Sequence, residues 1–446
     1  MSEQIADAVD QPNRWRLETP GHSGWKRTCR PDDPNKFFMV SADCHAQEPS
    51  NLWKERLEPK YADRLPKIEI DANGVKWMIS EGWSRSRLLD VPLEGEDQMR
   101  NKSGIELDAR LRDLDHDGVD IEIIFPNKGL QMWATPDPGF ADAQCRVYND
   151  WAAEFYGPAR GRCVPMAAIA TGEVDAAIRE IQRAARLGFI GVTLPCKPIF
   201  GAHDARHPNY NFGIYDPMWA AIQDANLAIT FHVSTGRDPR AARKDGGAVI
   251  NYVSHSLAPT IEPVANLCAS GVLERFPKLR FASIEAGIGW VAWALHAMDE
   301  AYLKHHMWAY PKLKFAAVES GIGWVPWALD AMDEAYRKHH LWAYPKLKQL
   351  PSDYFRSHGA ATFQEDRAGL ELAEKWNLID NFMWANDYPH AEGTWPHSAE
   401  AIEREMGNLS DNARAKILGV NAAKMFKFDV DLLLARRRSA STSAQQ

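Results

Sequence analysis

The sequence predicts an α/β fold, a (β/α)8 TIM-type barrel with an inserted β-hairpin after strand 1 and a duplicated strand-helix unit. Three observations predict it. Short runs rich in Val, Ile, Phe and Ala alternate with amphipathic stretches, the pattern of parallel strands covered by helices. The runs number eight, the count such a barrel requires to close. Residues able to hold a metal ion fall at the C-terminal ends of several runs, where barrels of this kind gather their chemistry.

Taken in order, residues 1–36 are polar and broken by Pro20, Pro31 and Pro34, and they read as an N-terminal arm. The barrel is expected over 37–428 and a solvated C-terminal tail over 429–446. Its strands are predicted at 37–43, 120–126, 162–168, 188–194, 225–232, 279–285, 358–363 and 382–387. Helices are predicted at 142–156, 172–187, 217–226 and 366–376. From 68 to 87 the pattern alternates and turns at Asp71-Ala72-Asn73-Gly74, which predicts a β-hairpin over the barrel mouth.

Residues 276–309 and 310–343 form a tandem repeat of 34 residues, identical at 25 positions. Each copy reads PKLxFAxxExGIGWV followed by an amphipathic helix, and two copies are too few to make a solenoid. Counting both gives nine strands. A ninth strand would alter the shear and widen the interior, so one copy is expected at the sixth barrel position and the other outside. The outer copy would carry its apolar strand and WVxWAL helix to the surface, which leaves a homo-oligomer open.

Composition excludes several classes. With 52 Lys and Arg against 60 Asp and Glu, the net charge of -8 gives no general attraction for nucleic acid or anionic lipid. The six cysteines have no CxxC pair, which argues against a zinc ribbon or a disulfide framework and fits a reducing cytoplasm. Neither a signal peptide nor an apolar run of membrane-spanning length is present, so a cytoplasmic location is expected.

The first strand ends in Asp43-Cys44-His45, and alternation along a strand puts Asp43 and His45 on one side. The fifth ends at His232 and the eighth at Asp387. Two carboxylates and two imidazoles make a mixed nitrogen and oxygen site suited to one divalent ion, Zn, Mn or Fe. Any one of these residues alone could equally cap a strand end. Their joint occurrence at the same end of three strands is what points to a metal.

Four stretches carry a resemblance: SADCHAQEPSNLW at 41–53, ARLRDLDHDGVDIEIIFP at 109–126, SGVLERFPKLRFASIEAGIGW at 270–290 and MWANDYPHAEGTWPHS at 383–398. They resemble the amidohydrolase-related family, in the branch that includes aminocarboxymuconate-semialdehyde decarboxylase and the aromatic-acid decarboxylases. The resemblance spans about 37–425. It implies a (β/α)8 metalloenzyme with Asp43 and His45 as the first ligand pair, His232 as the strand-five ligand and Asp387 as the strand-eight carboxylate. Many relatives have His-x-His first, whereas Asp43-Cys44-His45 is similar to the carboxylate-x-His of the aromatic-acid decarboxylases. Where relatives place a catalytic His after strand six, this chain offers Glu285 or Glu319, the latter in VESGIGWVPW and closer to the family pattern. Arg110 matches an arginine that holds a substrate carboxylate in the resembled decarboxylases, a task suited to a guanidinium fork. A helix-surface arginine paired with Asp113 or Asp115 is its plain alternative.

Glu48 could orient His45 or add a ligand, His390 could orient Asp387, and His255 could reach the mouth. The pairs His305-His306 and His339-His340 read as solvated, and Trp290, Trp293, Trp324 and Trp327 as core. The reaction expected first is metal-dependent decarboxylation of a small aromatic or unsaturated carboxylic acid by a carboxy-lyase, with Asp387 or the repeat glutamate protonating carbon. The same groups could instead hydrolyse an amide, ester, lactone or C-C bond, or hydrate a substrate. A non-catalytic binding module disabled by the duplication is the alternative from another class.

Overall fold

A computed structural model describes residues 16–430 apart from 22, 83–84, 89–94, 202–207, 236–257, 285–314, 318–321, 324, 327–328, 331–332, 334–349 and 391–392. The chain enters the body through β1 (Val40–His45) and makes a small sheet of β2 (Lys67–Ile70), β3 (Lys76–Ile79) and β4 (Ser86–Arg87). The remaining strands are β5 (Ile121–Phe125), β6 (Cys163–Pro165), β7 (Ala167–Ala168), β8 (Gly191–Leu194), β9 (Ala228–His232), β10 (Phe281–Ile284), β11 (Phe315–Ala317), β12 (Gly359–Phe363) and β13 (Phe382–Trp384). These and β1 form two parallel arcs, β1-β5-β6 and β7 through β13 in sequence order. The arcs join at Met166, which interrupts one predicted strand and bonds back to the Ile124 carbonyl at 2.9 Å. They join again where Ser41 on β1 meets Asn386 beyond β13 at 2.8 Å.

Period-two alternation sorts the wall residues into two layers. Val40, Ala42, Ile121, Ile123, Val164, Ala228, Ala282, Ile284 and Met383 pack together in the interior, closed at one end by Ala422, Ala423 and Phe426. Ile124, Val192, Leu194, Ile229, Phe231, Phe363 and Trp384 face the other way and pack with the helices. One irregularity matters for the site. Between Ser41 and Cys44 the pairing of β1 with β5 slips by one residue, from Ser41 opposite Glu122 to Cys44 opposite Ile124. This bulge reverses the alternation, so that Asp43 and His45 take over the inward positions that Val40 and Ala42 hold lower in the strand.

The repeat departs from expectation. β10 and β11 lie side by side in parallel, with Phe281 opposite Phe315, Ala282 opposite Ala316 and Ser283 opposite Ala317. Residues one repeat length apart therefore pair with each other. β11 also pairs with β12, Phe315 opposite Gly359. Both copies supply wall strands, and the expectation that one would lie outside is corrected. The two strands carry nearly the same residues and the same preference for the pleated, half-buried surface, and insertion between β10 and β12 satisfies the β11 backbone on both flanks.

Helices cover the outside. α1 (Gly95–Ile105) and α2 (Leu107–Asp117) precede β5, and Gly118, with φ of 76°, ends α2 in the left-handed conformation. α3 (Pro138–Tyr156) is capped by Asp137, which accepts from the Gly139 and Phe140 amides at 2.9 and 3.3 Å. α4 (Val174–Leu187), α5 (Asp216–Asp224), α6 (Ile261–Ala269), α7 (Pro351–His358), α8 (Arg367–Ala373) and α9 (Ser398–Glu405) follow. No described helix is long and apolar enough to cross a membrane. The end of the arm lies along α9, where Arg30 donates to Glu403 at 2.7 and 2.5 Å and to Glu400 at 2.7 Å. The small sheet turns at Asp71, whose carboxylate accepts from the Asn73 and Val75 amides at 2.8 and 3.0 Å.

Candidate metal centre

His45 and His232 are the last residues of β1 and β9, both fully buried. Nδ1 of His45 lies 3.3 Å from the Pro126 carbonyl and Nδ1 of His232 lies 2.8 Å from that of Val233. A carbonyl can only accept, so each Nδ1 carries the proton and each Nε2 is left as a lone-pair donor. Ligand atoms of Asp43, His45 and His232 lie within 4.8 Å of one another, and so do those of His45, Asp387 and His390. Nε2 of His45 stands 3.7 Å from Asp43 Oδ1 and 3.9 Å from Asp387 Oδ1, placing it between the two carboxylates.

Asp387 follows β13 with φ of 56°, a left-handed conformation that an Asp tolerates better than most side chains. Its carboxylate meets Nδ1 of His390 at 3.1 and 3.2 Å. The His390 ring is partly exposed and stacks on His45 with centroids 4.0 Å apart, whereas His232 meets His45 edge-on at 5.2 Å. The chemistry of this set fits a divalent cation. Buried carboxylates converge with imidazoles whose tautomers are fixed for ligation, a mixture suited to Zn, Mn or Fe.

Arg110 lies fully buried on α2, and its fork is engaged within the protein. Nε and Nη2 donate to the two Glu122 oxygens at 2.6 and 2.8 Å, and Nη1 donates to the His45 carbonyl at 2.9 Å. It thus holds the end of the strand that carries two candidate ligands. Glu48 is buried too, and accepts from the backbone amides of Asn127, Lys128 and Gly129 at 3.0, 3.0 and 3.1 Å. Burial raises its carboxyl above the usual range, and those amides offset only part of the rise. The loop it grips begins at Pro126, so Glu48 acts on His45 through the carbonyl that fixes its tautomer. Glu48→Ala is expected to leave three amides without their acceptor and to destabilise the fold by about 1–3 kcal/mol. Thermal unfolding checks this, and an unchanged Tm would refute it.

Glu285, Glu319, His255, His305, His306, His339, His340, Trp290, Trp293, Trp324 and Trp327 lie outside the described residues. Sequence reasoning missed Asn386 and Asp117, which join β13 to β1 and to α9. It also missed α1, where Arg100 donates to the carbonyls of His390 and Trp395 at 3.4 and 3.3 Å. The position of Asn386 beside Asp387 was the one available signal.

The family model described as Amidohydrolase matches residues 42–309 and 295–428, two segments that overlap within the first repeat copy. Comparison with curated proteins gives no match. Among solved structures the chain is similar to an amidohydrolase from Mycobacterium avium subsp. paratuberculosis K-10, with 16% identity, a TM-score of 0.60, and coverage of 87% of this chain and 98% of that one. It is similar to 5-carboxyvanillate decarboxylase from Sphingomonas paucimobilis, with 20% identity, a TM-score of 0.52, and coverage of 88% and 99%. A dihydroxybenzoic acid decarboxylase from Polaromonas sp. JS666, with bound manganese and the inhibitor 2-nitroresorcinol, is similar at 17% identity and a TM-score of 0.55, with coverage of 88% and 98%. The likeness in fold is to α/β barrels of TIM type, and by a family match that spans most of its length the chain belongs to the amidohydrolase family.

Proposed function

We propose that the protein is a divalent-metal-dependent carboxy-lyase that decarboxylates a small aromatic or unsaturated carboxylic acid. The observation that carries this reading is the pair of triads that share buried His45, Asp43 with His232 on one side and Asp387 with His390 on the other, at the C-terminal ends of wall strands. The carboxylate-x-His order on β1 and the likeness to decarboxylases of hydroxylated benzoates support it. Asp43, His45, His232 and Asp387 would hold the ion, with Mn favoured by the similar structures that contain it. A divalent ion bound there supplies Lewis-acid stabilisation of the negative charge that develops as CO2 leaves.

The protein's own part is to place and protonate. The bond between the carbon and its carboxylate breaks, the electron pair stays on carbon, and a proton replaces the CO2. Asp387 and His390 share a proton-holding contact at 3.1 Å, and the partly exposed His390 gives that contact access to solvent. Glu285 and Glu319 follow β10 and β11 in the sequence and are the alternative acids.

Turnover of a panel of hydroxybenzoates in D2O with added Mn2+ tests the reaction. One CO2 released per product, with one solvent deuterium on the carbon that lost it, is the expected result. The family match favours a second reading, metal-dependent hydrolysis of an amide, ester, lactone or C-C bond. Solvent 18O retained in the organic product without CO2 would establish that reading and overturn decarboxylation.

A further inference from the structure

Asp387 sits at a backbone turn with φ of 56°, so a small rotation on either side would swing its carboxylate away from the other candidate ligands. The contacts that prevent this come from Asn386. Its backbone amide donates to Ser41 Oγ at 3.1 Å, and its Oδ1 accepts from Ser41 Oγ at 2.8 Å and from the Tyr388 amide at 3.2 Å. Tyr388 in turn gives its carbonyl to the His45 amide at 2.8 Å. The backbone on both sides of Asp387 is therefore tied to the two ends of the bulge that aims Asp43 and His45.

The other end of Asn386 is anchored as firmly. Its Nδ2 donates to Asp117 Oδ2 at 3.0 Å, and Asp117 accepts from the Ser398 amide at 3.0 Å and from Ser398 Oγ at 2.5 Å. Ser41, Asn386, Asp117 and Ser398 are all buried. Asp117 is the last residue of α2, where the helix dipole disfavours a carboxylate, yet it meets the N-terminus of α9, where a dipole favours one. That carboxylate fixes which edge of the Asn386 amide donates, and so leaves Oδ1 to face Ser41 and Tyr388.

We infer that Asn386, anchored by Asp117, is a positioning residue that locks the ligand-bearing ends of β1 and β13 into one geometry for the metal. This rests on the metal-site reading above. Hydrogen-bonded partners behind metal ligands typically change affinity by about 10–100-fold when removed.

The test is a titration of the purified full chain with Mn2+, followed by the electron paramagnetic resonance signal of the free ion, with Tm measured on the same samples. Asn386→Ala is expected to raise the Mn2+ Kd by about 10–100-fold. Ser41→Ala should raise it less, and the double variant should fall short of the product of the two single effects, because both substitutions remove the bond from Ser41 Oγ to Asn386 Oδ1. Asn381→Ala is the control. Asn381 is equally buried before the opposite end of β13 and donates to the Phe355, Arg356 and Gly359 carbonyls at 3.2, 3.1 and 2.6 Å. It should lower Tm and leave the Kd unchanged.

Wild-type Kd values in both Asn386→Ala and Ser41→Ala would overturn the inference, as would an equal weakening in Asn381→Ala. If Asn386→Ala fails to fold, the Ser41→Ala isotherm decides. A folded wild type that takes up no Mn2+ would overturn the metal-site reading and this inference with it. Wild-type uptake with indifferent variants would overturn this inference alone.

Discussion

His232→Ala and Asp387→Asn are each expected to reduce metal content from about one ion per chain to a trace and to lower turnover by on the order of 10³-fold. His232 offers one Nε2 lone pair from a ring whose Nδ1 is held 2.8 Å from the Val233 carbonyl, and alanine offers none. At Asp387 asparagine is the cleaner change, because it tolerates φ of 56° and keeps the side-chain shape while removing the charge. Neither change removes an apolar side chain from the core, so both variants should fold. Binding to the native state adds a readout independent of substrate: a metal at about 100 times its Kd stabilises by about 2.7 kcal/mol. Wild type should gain that increment on adding Mn2+ or Zn2+, and the two variants should not. Elemental analysis, thermal unfolding with and without metal, and CO2 release together check it. Wild-type metal content in both variants would place the ion elsewhere.

How much of this was legible in the sequence differs from residue to residue. His232 was readable because it closes an apolar run, and the apolar neighbours that bury Ile229 and Phe231 against the helices also fix which side it faces. Asp43 and His45 were readable as a pair, but the reason they face inward was not. Simple alternation from Val40 and Ala42 would have turned them outward, and the one-residue slip between Ser41 and Cys44 depends on pairing with β5, some 80 residues away. The repeat was plain as a repeat. Its place in the wall was misjudged because closure arithmetic for eight strands was set above the local preference of a second, nearly identical strand to pair. Asn386 and Asp117 are 269 residues apart, and no periodicity or motif spacing announces such a contact. Buried polar networks of this kind are specified by tertiary proximity alone.

Arg110 separates two readings, and the last expectation turns on it. Were it a substrate clamp, Arg110→Ala would raise KM and leave the fold alone. Its surroundings predict otherwise. Arg110 and Glu122 have no exposed side-chain surface, and the guanidinium lies 4.9 Å from the Tyr388 ring and 5.8 Å from that of Tyr156. Removing the cation would leave the Glu122 carboxylate buried without its partner, a loss of about 3–5 kcal/mol. Arg110→Ala is therefore expected to lower Tm by several degrees and also to weaken metal binding, since the His45 carbonyl loses its donor. Arg110→Lys should recover only part, because an ammonium cannot bond both Glu122 oxygens and the His45 carbonyl with the geometry of the fork. Arg110→Met combined with Glu122→Leu should be more stable than Arg110→Ala alone, since the double change removes both charges together. Thermal unfolding and Mn2+ isotherms of the three variants check this. An unchanged Tm with a raised KM in Arg110→Ala would return Arg110 to the substrate and refute its role in holding the end of β1.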